Sequence, residues 1–307
     1  MPEKMQPHVK GMVVMMGAML ILPMMDAVGK WLAVADNLPP ATVSFARFLI
    51  QTLLTLTILW AAGGLKVLKS RNLGGNLIRG VLMGVASLCF FTAIKYMPLA
   101  DAMAIFFVEP LMLTLLSALI LKEKVGWRRL TAVSVGFIGT LIVIQPSWEL
   151  FGWISLLPLG TAVLFAVYLI MNRKYAVDDS AMVMQLYAGV GGAATTALVM
   201  VAGEYLDIAD MRLGLPVTSS PWALLFAIGA LATVGHLLVV QAFRLAPASV
   251  LAPFQYFEIV MAVLIGLLVF NDFPTPSKWL GILIIVGSGI YVFMRERGRT
   301  AEAEALV

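Results

Sequence analysis

Long uninterrupted runs of apolar residues recur along the whole chain, and they constrain its fold more than any other feature. A run of about 20 such residues is long enough to cross the hydrocarbon core of a bilayer as an α-helix. Of the 307 residues, 61% are hydrophobic and only 12% are charged, whereas soluble domains carry about 25% charged residues. Because backbone amides in lipid need internal partners, runs of this length indicate helices rather than barrel strands.

Ten runs of this kind divide the sequence, with short hydrophilic loops between them. They predict membrane spans over residues 9–31, 40–62, 76–96, 100–121, 127–145, 151–172, 182–202, 221–243, 249–270 and 277–294. Within the third span, Gly80-x-x-x-Gly84 predicts a close approach to another helix. The single cysteine, Cys89, excludes a disulfide framework and a cysteine metal cluster. We therefore predict an all-α membrane protein with ten transmembrane helices.

The loops alternate in charge along the chain. Basic residues precede the first predicted span and follow the second, fourth, sixth, eighth and tenth, and those after the second include Arg71 and, just beyond, Arg79. The intervening loops are mainly acidic. Because basic residues favour the cytoplasmic side, both termini are expected in the cytoplasm, beneath a bacterial-type inner membrane. The net charge of +4 is thus a topology signal, and we expect no nucleic-acid partner.

The second half of the chain repeats the first at an offset of 149 residues. The matched residues are Ala93 with Ala242, Lys95 with Arg244, Pro98 with Pro247, Glu109 with Glu258, and Glu123 with Asp272. Five spans per copy is an odd number, so the second copy enters the membrane in the opposite orientation. We therefore expect two inverted five-helix repeats, residues 1–149 and 150–307. In transporters built this way the substrate site lies near the midplane, where the halves meet.

Four features of the sequence are shared with a known family. They are the duplicated five-helix plan and three motifs: Pro39-Pro40 leading to Phe45-x-Arg47; Leu99-Ala100-x-Ala102 leading to Glu109-Pro110 and Lys122-Glu123-Lys124; and Ala246-Pro247-Ala248-Ser249 leading to Tyr256-Phe257-Glu258. By these features the chain resembles the drug/metabolite transporter superfamily, and in particular its EamA-like branch. The resemblance implies a secondary carrier with helix-hairpin gates at both ends. It also implies a central cavity lined by the third, fourth, eighth and ninth helices among others.

Charged residues at membrane depth are the first candidates for a substrate site. A charge there costs about 2.5–3.5 kcal/mol on insertion scales, so it normally faces a partner or a cavity. Asp26 and Lys30, four residues apart, share one face of the first helix. We expect them, with Arg47 of the second helix, to hold an anionic substrate group such as a carboxylate, Asp26 orienting Arg47. The alternative is an ion pair that ties the two helices together, with Lys30 reaching the outer interface.

Two glutamates and a histidine are further candidates. Glu109 and Glu258, related by the repeat, fall near the middle of the membrane. One hypothesis is that they carry a proton and couple transport to a proton gradient. The alternative is that they brace helices by bonding to backbone groups freed near Pro110. His236 also has two interpretations. It is either a proton relay or a hydrogen-bonded packing residue.

Aromatic and amide side chains complete the predicted cavity. Phe106, Phe107, Gln255 and Tyr256 lie within a turn of the two glutamates, and Tyr168 is a further aromatic candidate. Pockets for small molecules combine apolar walls with a few directed polar groups, which is the composition that these residues provide.

The favoured hypothesis is a secondary carrier, an exporter or facilitator of amino acids, because paired arginine and carboxylate groups suit a zwitterion. The alternative is uptake of a larger cofactor-like solute, such as a flavin or S-adenosylmethionine, which requires a wider, aromatic-lined cavity. The expected partners are a small-molecule substrate and the lipid bilayer, joined by a proton as coupling ion if the two glutamates carry one. No cofactor is expected.

Other classes of function are disfavoured by missing motifs. The sequence has no paired-histidine metal motif and no glycine-flanked serine with a histidine partner, so we expect no enzyme. It has no P-loop for direct coupling to ATP. A filter-like re-entrant segment, which would indicate a channel, is also absent from the sequence.

Overall fold

The computed structural model describes residues 7–63, 68–120, 127–175, 179–246, 251, 254–255 and 257–304, and within these ranges it contains no β-strand. The α-helices are α1 (Pro7–Val34), α2 (Pro40–Gly63), α3 (Leu73–Tyr96), α4 (Leu99–Phe106), α5 (Glu109–Ile120), α6 (Trp127–Phe151), α7 (Leu156–Tyr175), α8 (Ala181–Tyr205), α9 (Ser220–Leu245), α10 (Phe257–Phe270) and α11 (Pro276–Glu304). Short 3-10 helices cover Gly152–Ser155 and Ala209–Met211. The all-α prediction is confirmed.

Among the described residues, six stretches of helix are long and apolar enough to cross a membrane, so the chain is a multi-pass membrane protein. They are Val9–Val34, Pro40–Gly63, Leu73–Tyr96, Ser147–Tyr175, Ala181–Tyr205 and Ser220–Leu245. Shorter apolar helices cover Ser134–Val143, Phe257–Phe270 and Pro276–Ser288. The full count of ten spans and the side on which each terminus lies stay predictions.

Helix starts follow the local sequence. α2 begins at Pro40, whose fixed φ and missing N–H are tolerated in a first turn. Asn72 caps α3 by accepting a hydrogen bond from the amide of Gly75 (3.1 Å), and Ser180 caps α8 by accepting one from Val183 (3.3 Å). Each of these helices therefore begins at a residue that either accepts a hydrogen bond from a free first-turn amide or, as proline, has no amide N–H to satisfy.

The fourth predicted span, 100–121, is divided into two helices. α4 ends at Phe106, α5 begins at Glu109, and a two-residue turn separates them. Pro110 accounts for the break, because it has no N–H to donate to the carbonyl of Phe106 and the helical ladder cannot continue. The prediction of one continuous helix is therefore wrong. The helix is broken, and the break places Glu109 at the buried start of α5.

Glycines bring α3 and α8 into backbone contact. A Cβ on Gly80 would lie 2.7 Å from the Cα of Gly191 and 2.9 Å from the backbone nitrogen of Gly192. A Cβ on Gly84 would lie 2.9 Å from the Cβ of Thr195. A Cβ atom does not come so close to other heavy atoms in folded proteins, so the two helices can be this close only with glycine at these positions. The close approach predicted for Gly80-x-x-x-Gly84 is confirmed.

Helix contacts join the two halves of the chain and recur in related pairs. α1 packs on α9 and α7 on α3; α2 packs on α9 and α8 on α3; α5 packs on α7 and α10 on α1. Exchanging each predicted span for the span five places along the chain converts the first contact of each pair into the second. α2 with α8, and α6 with α11, pack on their own counterparts. The interior of the protein is therefore largely the interface between its halves.

Asp179 fastens the loops that precede α3 and α8. Its carboxylate accepts hydrogen bonds from Ser70 Oγ (2.6 Å), the Arg71 amide (2.8 Å), the Asn72 amide (3.4 Å) and Asn76 Nδ2 (2.8 Å). Burial raises the pKa of this carboxyl, but the four hydrogen bonds outweigh burial and hold the pKa below its usual value. Asp179 is therefore an anion at neutral pH, and it anchors this end of the molecule.

Replacing Gly80 by alanine is expected to push α3 and α8 apart, because the added methyl group meets the backbone of α8. Overpacking of this kind costs about 1–3 kcal/mol, so the thermal midpoint of the purified protein in detergent should fall. Gly160→Ala is the matched control, because a Cβ at Gly160 of α7 meets nothing within 4 Å. Equal midpoints for the two variants would contradict the contact.

Candidate functional site

An interior cavity of about 60 Å³ lies among α1, α2, α3, α4, α7, α9 and α10. Its wall is apolar at Leu22, Met25, Met83, Ala86, Phe90, Phe91, Met103, Phe106 and Phe165, and polar at Asp26, Arg47, Ser87, Thr161, His236 and Glu258. The third, fourth, eighth and ninth predicted spans all contribute, as the family resemblance implies. Ligand pockets usually measure about 300–1,000 Å³, so the cavity has to widen before it can hold a metabolite.

Aromatic rings form one side of this cavity. Phe106 packs against Phe90, with ring centroids 5.9 Å apart, and against Phe165, at 5.7 Å. Phe165 in turn lies 6.3 Å from the ring of His236. A wall of this kind suits a flat ring system, which gains both buried area and ring–ring contacts.

Arg47 is the cation of the cavity and is only 3% exposed. Nη1 donates to the Ser87 hydroxyl (2.9 Å), Nη2 contacts Nε2 of His236, and the guanidinium lies 4.8 Å from the Phe48 ring centroid. The Nε–H has no partner among the described residues. Asp26, expected from the sequence to orient Arg47, lines the same cavity but makes no hydrogen bond to it in the described structure. Ser87 and His236 provide the orientation instead.

The contact with Arg47 decides the tautomer of His236. A guanidinium can only donate, so Nε2 accepts and the proton of the neutral ring lies on Nδ1. That Nδ1 has no partner among the described residues, although His236 is only 4% exposed. Arg47 Nε–H and His236 Nδ1–H are therefore two buried donors, both on cavity-lining residues, that lack an acceptor. Of the two interpretations of His236, this geometry favours the hydrogen-bonded one.

Three carboxyl groups, those of Asp26, Glu109 and Glu258, interact electrostatically in and around the cavity. Glu258 lines the cavity, and its carboxyl interacts electrostatically with those of Asp26 and Glu109. Glu109 is buried but does not line the cavity; its carboxyl interacts with Gln255, and its Oε1 has no partner among the described residues. Tyr256, also predicted to line the cavity, lies outside the described residues. The two glutamates related by the repeat thus lie close together, next to Asp26.

Lys30 belongs to a different group of charges, which corrects its predicted place beside Arg47. Its Nζ donates to Asp272 (2.7 Å) and to the carbonyl of Met97 (3.4 Å). Lys30 does share a helix face with Asp26, but its long side chain extends away from the cavity to the loop after α10. The contact with Asp272 favours the alternative interpretation, in which Lys30 extends to the outer interface.

Three ion pairs between described residues at the predicted outer end connect the first half of the chain to the second. Lys30 pairs with Asp272, and Lys95 with Asp210, each at 2.7 Å. Asp101 of α4 forms a further pair with Lys278 of α11, and both side chains are buried. These bonds hold the two halves of the chain together at that end.

The predicted aromatic residues occupy different positions. Phe106 lines the cavity. Phe107 and Tyr168 are buried one layer behind it: Phe107 packs on Phe106 at 6.1 Å, and Tyr168 stacks on Phe165 at 5.6 Å. Phe107 and Tyr168 therefore support the wall rather than face the space within it.

Several residues of the site were not singled out by sequence. Ser87 and Thr161 each place a hydroxyl within an apolar span, and that isolated hydroxyl was the available signal. No such signal marks Phe90, Phe91 and Phe165. In a transmembrane helix, the sequence does not distinguish a phenylalanine that faces the interior from one that faces lipid.

Comparison with known proteins places this architecture in a family. The model of the EamA-like transporter family matches residues 9–145 and, a second time, residues 152–294. A crystal structure with 17% sequence identity superposes with a TM-score of 0.66 over 95% of this chain and 97% of that one. At that identity the likeness shows a shared fold alone.

Named relatives cover nearly the whole chain. A riboflavin transporter of Vibrio cholerae is 29% identical over 284 residues, 92% of either chain. An S-adenosylmethionine uptake transporter of Rickettsia prowazekii is 27% identical and covers 89% of this chain and 88% of its own. A riboflavin transporter of Brucella anthropi is 26% identical, with 89% and 95% covered. The two matches of the family model and these relatives show that the chain is a membrane transporter and belongs to the EamA-like transporter family.

Proposed function

We propose that this protein takes up a cofactor-like metabolite, one that joins a flat ring system to polar or charged groups, by alternating access to the central cavity. Ten spans would form two inverted repeats, residues 1–149 and 150–307, with both termini in the cytoplasm beneath a bacterial inner membrane. The helix contacts that exchange under a five-span shift support this arrangement. So do the two separate matches of the family model.

The observation on which the proposal rests is the pair of unpartnered donors, Arg47 Nε–H and His236 Nδ1–H. Leaving a buried donor without an acceptor costs about 1–3 kcal/mol, so an empty cavity is poorly satisfied. One oxygen-bearing group of a solute, such as a carboxylate, phosphate or ring carbonyl, can satisfy both donors. Its binding in the widened cavity then gives both donors the acceptor that they lack.

The wall of the cavity favours a ring-containing solute. Phe90, Phe106 and Phe165 present phenyl rings beside those donors, and a planar heterocycle would pack against them. Riboflavin and S-adenosylmethionine, which give two groups of relatives their names, both contain fused aromatic rings. Uptake is the direction that the second of these names states for its protein.

An amino acid is the second candidate. Asp26 and Arg47 line the same cavity and offer opposite charges, as a zwitterion requires. S-adenosylmethionine ends in an amino-acid group, so the same two residues suit both candidates, whereas the phenyl wall favours the larger solute.

Counterflow in liposomes tests the binding group. We expect exchange of labelled riboflavin or S-adenosylmethionine, and at least a tenfold slower rate for Arg47→Ala, because hydrogen bonds to a charged group contribute about 1.5–3 kcal/mol. Arg71→Ala is the control, since its exposed side chain lies outside the cavity. If only amino acids exchange, the cofactor proposal is wrong. A folded Arg47→Ala that exchanges at the wild-type rate would exclude this arginine as the binding group.

Alternating access requires the ion pairs of the outer end to separate in each cycle. We expect a disulfide between Asp101→Cys and Lys278→Cys, made in a Cys89→Ser background, to hold that end closed and abolish uptake, and a reductant to restore it. The Cys89→Ser protein treated with the same oxidant is the control. Normal uptake by fully cross-linked protein would contradict a gate at this position.

The convergence of Asp26, Glu109 and Glu258 supports a proton as the coupling ion. None of the ion pairs formed by described residues includes these carboxyls, and like charges at close range repel. An inward proton gradient is therefore expected to accelerate net uptake by the wild type. Glu258→Gln should lose that acceleration and keep counterflow, which needs no gradient. Wild-type uptake that ignores the gradient would exclude proton coupling.

A further inference from the structure

A second set of polar side chains is buried between the cavity and the predicted cytoplasmic end. We call Gln51, Asn76, Arg79, Asn172 and Gln185 the inner polar layer. Gln51 is 2% exposed and the other four are 0% exposed. They come from α2, α3, α7 and α8. Arg79, counted from the sequence with the basic residues of a loop, thus lies wholly inside the protein.

The depth of the layer follows from helix geometry. On α3, Arg79 precedes the cavity residue Met83 by four residues, about 6 Å at 1.5 Å per residue. On α7, which runs the opposite way, Asn172 follows the cavity residue Phe165 by seven residues, about 10 Å. Both helices therefore place the layer one to two turns from the cavity, on the side where Asp179 anchors the loops.

Arg79 is bonded only to neutral groups. Its Nε donates to Asn172 Oδ1 (2.7 Å), and its Nη1 donates to Asn76 Oδ1 (2.7 Å) and to the carbonyl of Met184 (3.3 Å). None of the ion pairs formed by the described residues includes it. The charge of Asp179 does act on Arg79, but the two side chains are connected by hydrogen bonds only through Asn76. A buried cation with no anion in direct contact is costly, so an anionic or strongly accepting group would complete its bonding.

The layer also contains unpartnered atoms of both kinds. The donors Arg79 Nη2, Asn172 Nδ2 and Gln185 Nε2 have no acceptor among the described residues, and the acceptors Gln51 Oε1 and Gln185 Oε1 have no donor there. Buried polar atoms are nearly always paired in native proteins. A layer needed for packing alone would be built from apolar side chains, whereas these atoms fit a guest that has acceptor oxygens beside an N–H donor.

Tyr168 contacts both the layer and the cavity wall. Its ring centroid lies 4.9 Å from the guanidinium of Arg79 and 6.5 Å from the ring centroid of His236. His236 holds Arg47, so the two arginines are connected through one histidine and one tyrosine. A solute that moved from Arg47 to Arg79 would therefore travel a short distance, close to this ring.

We propose that the inner polar layer is a second binding site for the transported solute, occupied after it leaves Arg47 and before it enters the cytoplasm. Arg79 and the amide donors bind the oxygens of a carboxylate, phosphate or ring carbonyl, and the glutamine oxygens bind an adjacent N–H. This inference rests on the proposed transport function and adds a second site to it.

Kinetics measured separately from each face of the membrane test the site. The solute in this test is one that the wild type transports. In inside-out vesicles, Arg79→Gln is expected to raise its half-saturating concentration about tenfold, which corresponds to the free energy of one hydrogen bond to a charged group. In right-side-out vesicles the same variant should stay within about twofold of wild type, because the outer face meets Arg47 first. Arg71→Gln, which removes an exposed arginine at the same end, should change neither value.

The conservative variant separates binding from a purely structural role. Arg79→Lys keeps the charge and should recover part of the inner-face affinity. Equal effects of Arg79→Gln on the two faces, together with a lower thermal midpoint, would overturn the second site and leave Arg79 as a brace between helices. Unchanged kinetics on both faces would overturn it as well.

A labelling experiment decides the same question without a known solute. In a Cys89→Ser background, Asn172→Cys should react with a membrane-impermeant maleimide from the inner face and not from the outer face. If this cysteine reacts only after denaturation, the layer is a static part of the core and the second site is excluded. If the wild type transports no tested solute while Asn172→Cys reacts from inside, the substrate proposal fails and the inner opening stands.

Discussion

The site depends on one interaction, the contact of the Arg47 guanidinium with Ser87 and His236 inside the membrane. A charge in so apolar a place has to be hydrogen-bonded within the protein. Its partners lie on α3 and α9, so this bonding draws α2, α3 and α9 together around the cavity. Since α9 belongs to the second half and α2 and α3 to the first, the binding group is assembled only where the halves meet.

The two ends of the molecule are held together by different chemistry. Ion pairs such as Lys30 with Asp272 connect the halves at the predicted outer end. At the other end an anion, Asp179, is held by loop amides, and the inner polar layer lies above it. Charges that separate into water regain hydration, so the outer pairs can open without leaving a buried charge unpaired. Opening the inner end would likewise bring water or solute to the unpaired atoms around Arg79.

Much of the fold could be predicted from the sequence, because apolar runs and loop charges report directly on the bilayer. The helices and the polar residues of the cavity, Arg47, His236 and Glu258, follow from the rarity of such residues at membrane depth. The hydrogen-bond partners of these residues could not be predicted. Lys30, for example, bonds to Asp272, far along the chain. A long side chain can extend toward either end of its helix, and the sequence does not say which. Arg79 shows the same limit, since a cation near a span end can extend to the loop or fold inward.

Structure determination with the transported solute bound tests the central claim most directly. We predict an oxygen atom of the solute within about 2.7–3.2 Å of both Arg47 Nε and His236 Nδ1, with its ring system against Phe106 and Phe165. A solute bound elsewhere, with those two nitrogens still unpartnered or paired with protein groups, would contradict the assignment of Arg47 as the binding group and of this cavity as the substrate site.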